Sequence, residues 1–380
     1  MAHRTTRLAI LLLFGEFGFT LGCSFSRVAP VSGHARTGNA CSPGFPFQEG
    51  WWGADGAYSI PLEDGRIVWI FGDTLYGDSR AMEGEDPRMV RNSIGVSTCS
   101  SGKWSINYFM RRSASGQPVD FFQSPDQHHW YWAMDGFVND GVLYVTLLCV
   151  RQKAKTPAEP YGFDTCGAEL ARVTDLGENP RNWTLEYFRL AAPETRAFPS
   201  ATAVVSGAYA YIFALDEKPS TRPLILTRIP LSHLDSADES IEYYARDGSW
   251  KSGFVPSDAE AVMRTGSSEL SVRYHPELKK WVAILVDPNG TGVILMRTAD
   301  QIEGPWTEGR ALYQLPELTE DSREKHPNWI CYAGKEHQEF SKPATALVTY
   351  VCNSLVPREL LGEPDLYVPK VVVLPIASDP

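Results

Sequence analysis

The sequence predicts an all-β chain folded as a five-bladed β-propeller. Three observations lead there. A hairpin-like unit recurs five times along the 380 residues. The second strand of the unit is apolar on both faces, and each unit leaves room for two further strands. Units that cannot bury both faces alone must stack on neighbours, and four-stranded sheets ringed around an axis do so.

The first unit, "DGAYSIPLEDGRIVWIFGD", runs over 55–73. Ile67, Trp69 and Phe71 alternate with Val68 and Ile70, a pattern for a strand covered on both sides. "GVSTC" and "WSINYFM" follow as its outer strands. The second unit, "DGFVNDGVLYVTLLCVR", covers 135–151, and the third, "SATAVVSGAYAYIFALD", covers 200–216. The fourth, "ELSVRYHPELKKWVAILVD", covers 269–287, with "VILMRTA" and "ALYQL" outside it. The fifth, "EHQEFSKPATALVTYVCN", covers 336–353. Asp64-Gly65, Asp140-Gly141, His275-Pro276 and Asn289-Gly290 stand where turns are needed. The fifth unit is short, so "YVPKVVVLP" is expected to add a late strand and the mature N-terminal segment to complete the closing blade. "LSHLDSADES" and "LPELTEDSREK" read as short surface turns.

The N-terminus carries a basic start (His3, Arg4, Arg7), an apolar stretch from Leu8 to Leu21, and then Gly22-Cys23. This is the pattern of an export signal, and Thr20-Leu21-Gly22-Cys23 is similar to a bacterial lipoprotein box in which Cys23 becomes the lipidated first residue. The expected organisation is a signal over 1–23, a linker over 24–45 and one propeller domain over 46–380. The destination is the bacterial cell envelope or the exterior. Beyond Cys23, six cysteines remain, an even number suited to an oxidising compartment. Of 15 possible pairings, the preferred set is Cys149–Cys166, Cys331–Cys352 and Cys41–Cys99. No close Cys/His pair recurs, so neither a metal nor another cofactor is expected. A net charge of −11 without a basic stripe argues against nucleic acid and anionic lipid, leaving a lipid anchor as the expected membrane contact.

Propeller topology relates residues that are far apart in sequence. A first strand lining the channel starts at one face of the disc, and the second returns to that face. Asp55 and Asp73, at opposite ends of the first hairpin, are therefore expected together near the axis. Asp135, Ser200, Glu269 and Glu336 converge there as the corresponding residues of the other units. Arg91 is a candidate partner for Asp73, with Asn92 beside it. His129, Trp130 and Trp132 offer rings on which sugars could stack, and Arg273 and His337 flank the later acids. Each residue also has a structural alternative: Asp55 shaping strand entry, Asp73 capping a turn, Glu269 and Glu336 in plain ion pairs, the rings in the core.

"GADGAYSIP", "WIFGDT", "RNS" at 91–93 and "WYWAMDG" at 130–136 resemble the family called domain of unknown function 4185. Part of that family is glycoside hydrolase family 183, the endo-D-arabinanases, which have a five-bladed propeller. The resemblance implies an exported hydrolase, endo-acting on D-arabinan-like polysaccharide, with Asp55 and Asp73 as the catalytic pair. "SSELSVRYHPELKKW" and "CYAGKEHQEF" look like marks of a narrower group with no established substrate. Glycoside cleavage needs one protonated and one ionised carboxyl. The expected order is Asp55 as nucleophile or base and Asp73 as general acid. The competing reading is a non-catalytic carbohydrate-binding surface lipoprotein.

Overall fold

Valine, isoleucine and aromatic residues crowd the second strand of every unit, and residues of this kind favour a pleated, covered surface. A computed structural model describes residues 41–77, 88–154, 162–192, 195–217 and 221–377. The fold is all-β, built from antiparallel sheets whose strands mostly follow one another in chain order. The first four-stranded sheet comprises Tyr58–Pro61, Ile67–Phe71, Ser93–Ser100 and Lys103–Phe109. The second comprises His129–Asn139, Val142–Gln152, Phe163–Thr174 and Thr184–Ala191. The third is larger than expected. Ala197–Ser206, Tyr209–Asp216 and Leu224–Pro230 are joined by Glu242–Tyr244, Trp250–Ser252 and Ala261–Met263. Leu270–His275, Lys280–Val286, Val293–Ala299 and Arg310–Gln314 make the fourth. Trp329–Glu336, Thr345–Ser354 and Lys370–Pro375 make the fifth.

The second strands are buried on both faces, as their doubly apolar pattern requires; Val68, Trp69, Ile70 and Phe71 are wholly inside. Asp140 and Gly141 both take positive φ, 50° and 73°, the conformation of a tight hairpin turn. "YVPKVVVLP" does supply the late strand of the fifth sheet. Both "LSHLDSADES" and "LPELTEDSREK" form short helical turns.

Among the described residues no N-terminal strand completes the fifth sheet; residues 24–40 lie outside them. Trp51–Ala54 pairs instead with Thr74–Tyr76, which pairs in turn with Arg88–Val90, in a sheet of its own. The physical reason lies in the aromatic residues: Trp51 stacks flat on Tyr108 at 4.2 Å and leans on Phe71, so this segment is held against the first sheet.

The marker residues also sit differently from expectation. Asp55 and Glu269 precede their strands, but Asp135 and Ser200 lie within theirs and Glu336 ends its own. Pairing runs past these points because the register is broken there: between Ala133 and Asp135, between Pro199 and Thr202, and between Tyr332 and Lys335. In the first unit the break falls between Ala54, at the end of the N-terminal sheet, and Tyr58, at the start of the first four-stranded sheet, with Asp55 N donating to Asp73 O at 2.9 Å. A bulge keeps the ladder on both sides while re-aiming the residues at the break.

Neighbouring sheets are joined at the same level. Thr202 Oγ1 donates to Asp135 at 2.6 Å, and Glu336 N to Ser271 Oγ at 2.9 Å. Arg273 reaches Ala203 O at 3.4 Å, and Thr349 Oγ1 donates to Ala57 O at 3.1 Å. Between the first two sheets the Ile60 side chain presses on Gly136, where any side chain would clash.

All three expected disulfides are formed: Cys41–Cys99, Cys149–Cys166 and Cys331–Cys352. Disulfides of this number fit an exported or extracellular protein. No helix among the described residues is long and apolar enough to cross a membrane. The signal sequence and Cys23 lie outside the described residues.

Candidate active site

One cavity of about 270 Å³ is lined among others by Asp55, Asp73, Trp132, Phe163, Glu269 and Tyr332. Three carboxylates thus meet in one space, two from the ends of the first hairpin and one from the fourth unit. Each has a different environment. The Asp55 carboxylate accepts a hydrogen bond from Tyr332 Oη, which itself accepts one from Asn353 Nδ2 at 3.1 Å. Asp73 accepts from Trp132 Nε1 at 3.0 Å and pairs with Arg91 at 3.2 Å. Glu269 accepts from Tyr58 Oη at 2.7 Å.

Burial pushes the Asp55 carboxyl well above the usual range, and the negative charges of Asp73 and Glu269 push it further. Burial raises Asp73 as well, but the Arg91 cation and the Trp132 N–H pull it back. Glu269 is raised by burial and lowered by Tyr58 and Lys335. Two acids that line one cavity and feel each other's charge are therefore held apart in proton affinity, with Asp55 the better proton holder.

Other expected site residues lie behind this surface. Asn92 is wholly buried and clamps the backbone: Nδ2 donates to Phe122 O and Tyr131 O, and Oδ1 accepts from Phe122 N. Its place is structural, away from the cavity lining. Trp130 is buried with Arg91 stacked 4.4 Å above it, so it steadies the arginine rather than facing a ligand. His129 is half-exposed, 3.6 Å from Asp126. Asp135 is sealed in the interior, where it pairs with Lys335 at 3.2 Å and Arg273 at 3.6 Å. These cations outweigh burial and hold its carboxyl below the usual range. Glu336 is also buried, bonded to His275 and Ser341. His337 sits between Ser59 at 2.6 Å and Thr349 at 2.7 Å, and burial drops its pKa to about 3. A ring held neutral in this way is a strut.

Sequence reasoning missed Tyr332, Tyr58 and Lys335. Tyr332 and Lys335 fall inside "CYAGKEHQEF", which stood out without a role. Lys335 is buried, donates to Met134 O, and lies 4.1 Å from the Tyr58 ring centroid. Asp287, the other end of the acidic fourth hairpin, only shapes a turn, accepting from Asn289 and Thr291.

Among the described residues two groups of three ligand-type side chains occur, His129–Cys149–Cys166 and Glu317–Cys331–Cys352. In both, the cysteines are joined to each other as disulfides, so neither offers the thiolates a metal would need.

A family model described as a domain of unknown function, DUF5005, matches residues 45–374. The chain belongs to the DUF5005 family. This overturns the resemblance to domain of unknown function 4185, and membership of the endo-D-arabinanase family goes with it. The shared "GADG" and "FGDT" segments are short and dictated largely by the bulge and the turn, so they do not separate one β-rich family from another.

No protein with a curated description matches this DUF5005 chain. Among solved structures, a candidate hydrolase from Bacteroides ovatus is 17% identical, with 86% of each chain covered and a TM-score of 0.66. That likeness speaks for the fold. Looser likenesses include a GH43_1 enzyme from Xanthomonas citri (12% identical, 88% and 89% covered, TM-score 0.46) and an α-L-arabinofuranosidase from Podospora anserina (13%, 90% and 96%, 0.43).

Proposed function

We propose that this protein is an exported glycoside hydrolase, with its five main sheets arranged as the blades of a propeller around the cavity. The reaction is cleavage of a furanosidic polysaccharide or oligosaccharide of arabinan type by Asp55 and Asp73. One observation carries the reading: two carboxylates share one cavity in opposed charge environments. Glycosidic hydrolysis needs a protonated carboxyl to donate to the leaving oxygen and an ionised one to act as nucleophile or base. The charge environment favours Asp55 as the acid and Asp73, held by Arg91 and Trp132, as the ionised partner. This is the reverse of the order expected from sequence. Glu269 and Tyr58 are then placed to hold sugar hydroxyls, and Trp132 edged by Phe163 at 5.0 Å gives an apolar wall for a sugar face.

Export and anchoring through Cys23 complete the proposal. The three disulfides support the compartment, and Cys23→Ser should move the protein from the membrane to the soluble fraction. The function itself is tested by product release from D-arabinan and L-arabinan, with product lengths separating endo from exo action. Wild type should release sugars, and Asp55→Asn and Asp73→Asn should not. Equal activity in both variants would remove the pair from the chemistry. Tight glycan binding without turnover in wild type would replace hydrolysis by a binding function.

A further inference from the structure

A second, larger cavity of about 600 Å³ lies on the outer part of the third and fourth sheets. No residue lines both cavities. Its walls come from Glu242–Tyr244, Ala261–Met263 and the segment that follows Val293–Ala299. Arg246, Arg264 and Arg297 line it together with Trp306. Arg297 is the telling residue. It is only 8% exposed, and its Nε, sealed from solvent, has no hydrogen-bond partner. Among the described residues no carboxylate pairs with it; Glu308 and Asp287 act on it only at a distance. A buried cation without a partner is strongly disfavoured unless something else supplies the opposing charge.

We propose that this cavity is a second carbohydrate site, taking a sugar unit that carries a single carboxylate, with Arg297 as the partner of that carboxylate. A planar carboxylate matches the guanidinium fork in shape as well as charge. Trp306 presents an aromatic side chain against which a sugar ring packs. Glu260, Glu303 and Glu308 line the same space. They accept hydrogen bonds from hydroxyls and repel a densely anionic ligand such as a phosphate cluster. The mixture of one largely buried arginine, further arginines, glutamates and an indole therefore suits an acidic sugar better than a simple anion. The site stands independently of the chemistry proposed for Asp55 and Asp73.

Calorimetric titration of the full chain with D-glucuronate and D-glucose tests it. Glucuronate should bind at least tenfold more tightly than glucose. Arg297→Met should weaken glucuronate at least tenfold, while Asp55→Asn leaves its affinity unchanged. Without ligand, Arg297→Met should melt no lower than wild type, because it removes an unpaired buried charge. If that variant fails to fold, Arg264→Gln gives the second reading, with an expected loss of several-fold. Absence of glucuronate binding, equal binding by these variants and wild type, or inorganic phosphate displacing glucuronate at equal concentration would each overturn the proposal.

Discussion

Asp55 and Asp73 show how two identical side chains acquire different properties. Both are half-buried in the lining of one cavity, yet only Asp73 has a cation and an indole N–H on its carboxylate. Replacing either by asparagine should lower kcat about 10²–10⁴-fold, the usual worth of acid–base assistance. The pH profile of kcat/KM should be a bell, falling at low pH as Asp73 takes a proton and at high pH as Asp55 loses one. Tyr332 donates to Asp55 and so favours its ionised form. Tyr332→Phe should raise that pKa further and move the alkaline limb upward. Arg91→Met should raise Asp73 and move the acid limb upward, narrowing the bell. A profile unaltered in both variants would mean that neither acid governs the rate. In sequence, both aspartates and Arg91 were legible as a group. Tyr332 was not, because it lies 277 positions from Asp55 and no local pattern connects the two.

Joints between strands set the next scale. His337 links the first and fifth sheets through Ser59 and Thr349. Its pKa falls from 6.5 to about 3 on burial. Between those values the unfolded chain binds the extra proton, so stability should fall as pH drops through that window, by up to about 1.4 kcal/mol per unit. His337→Asn should flatten this dependence, measured by urea unfolding across pH. The Cys331–Cys352 bridge joins directly opposed residues of neighbouring strands. Replacing both with alanine should cost about 3 kcal/mol, from the entropy regained by the unfolded loop, read as a lower urea midpoint. Strand content and turns could be read from residues 55–73 and their repeats, since burial on both faces imposes an apolar run. The bulges could not, because a register break depends on which strand lies opposite.

Across the whole molecule, Asp135 ties sheets together. It accepts from Thr202 and Ala203 of the third sheet and pairs with Arg273 of the fourth and Lys335 of the fifth. Asp135→Ala would leave the buried Lys335 cation facing the half-buried Arg273 without a counter-charge, at a cost of about 3–5 kcal/mol. Thermal unfolding should show a single transition at a much lower temperature. A small change would mean that the cations find other partners. Asp135 entered as a site candidate because it takes the place of Asp55 in the second unit. Its burial at the junction decides otherwise.

The sequence by itself determined that the chain is all-β, that its hairpins recur, and that Asp55 and Asp73 end one hairpin. These follow from local rules: alternation and turn residues. Tertiary structure alone decided that Tyr332 joins the aspartates and that, of the other expected acids, Glu269 stays with them while Asp135 and Glu336, like His337, turn inward. Those choices depend on which sheets meet and how each bulge re-aims its residues. Charge and solvent access at such junctions are set by neighbours from several units at once.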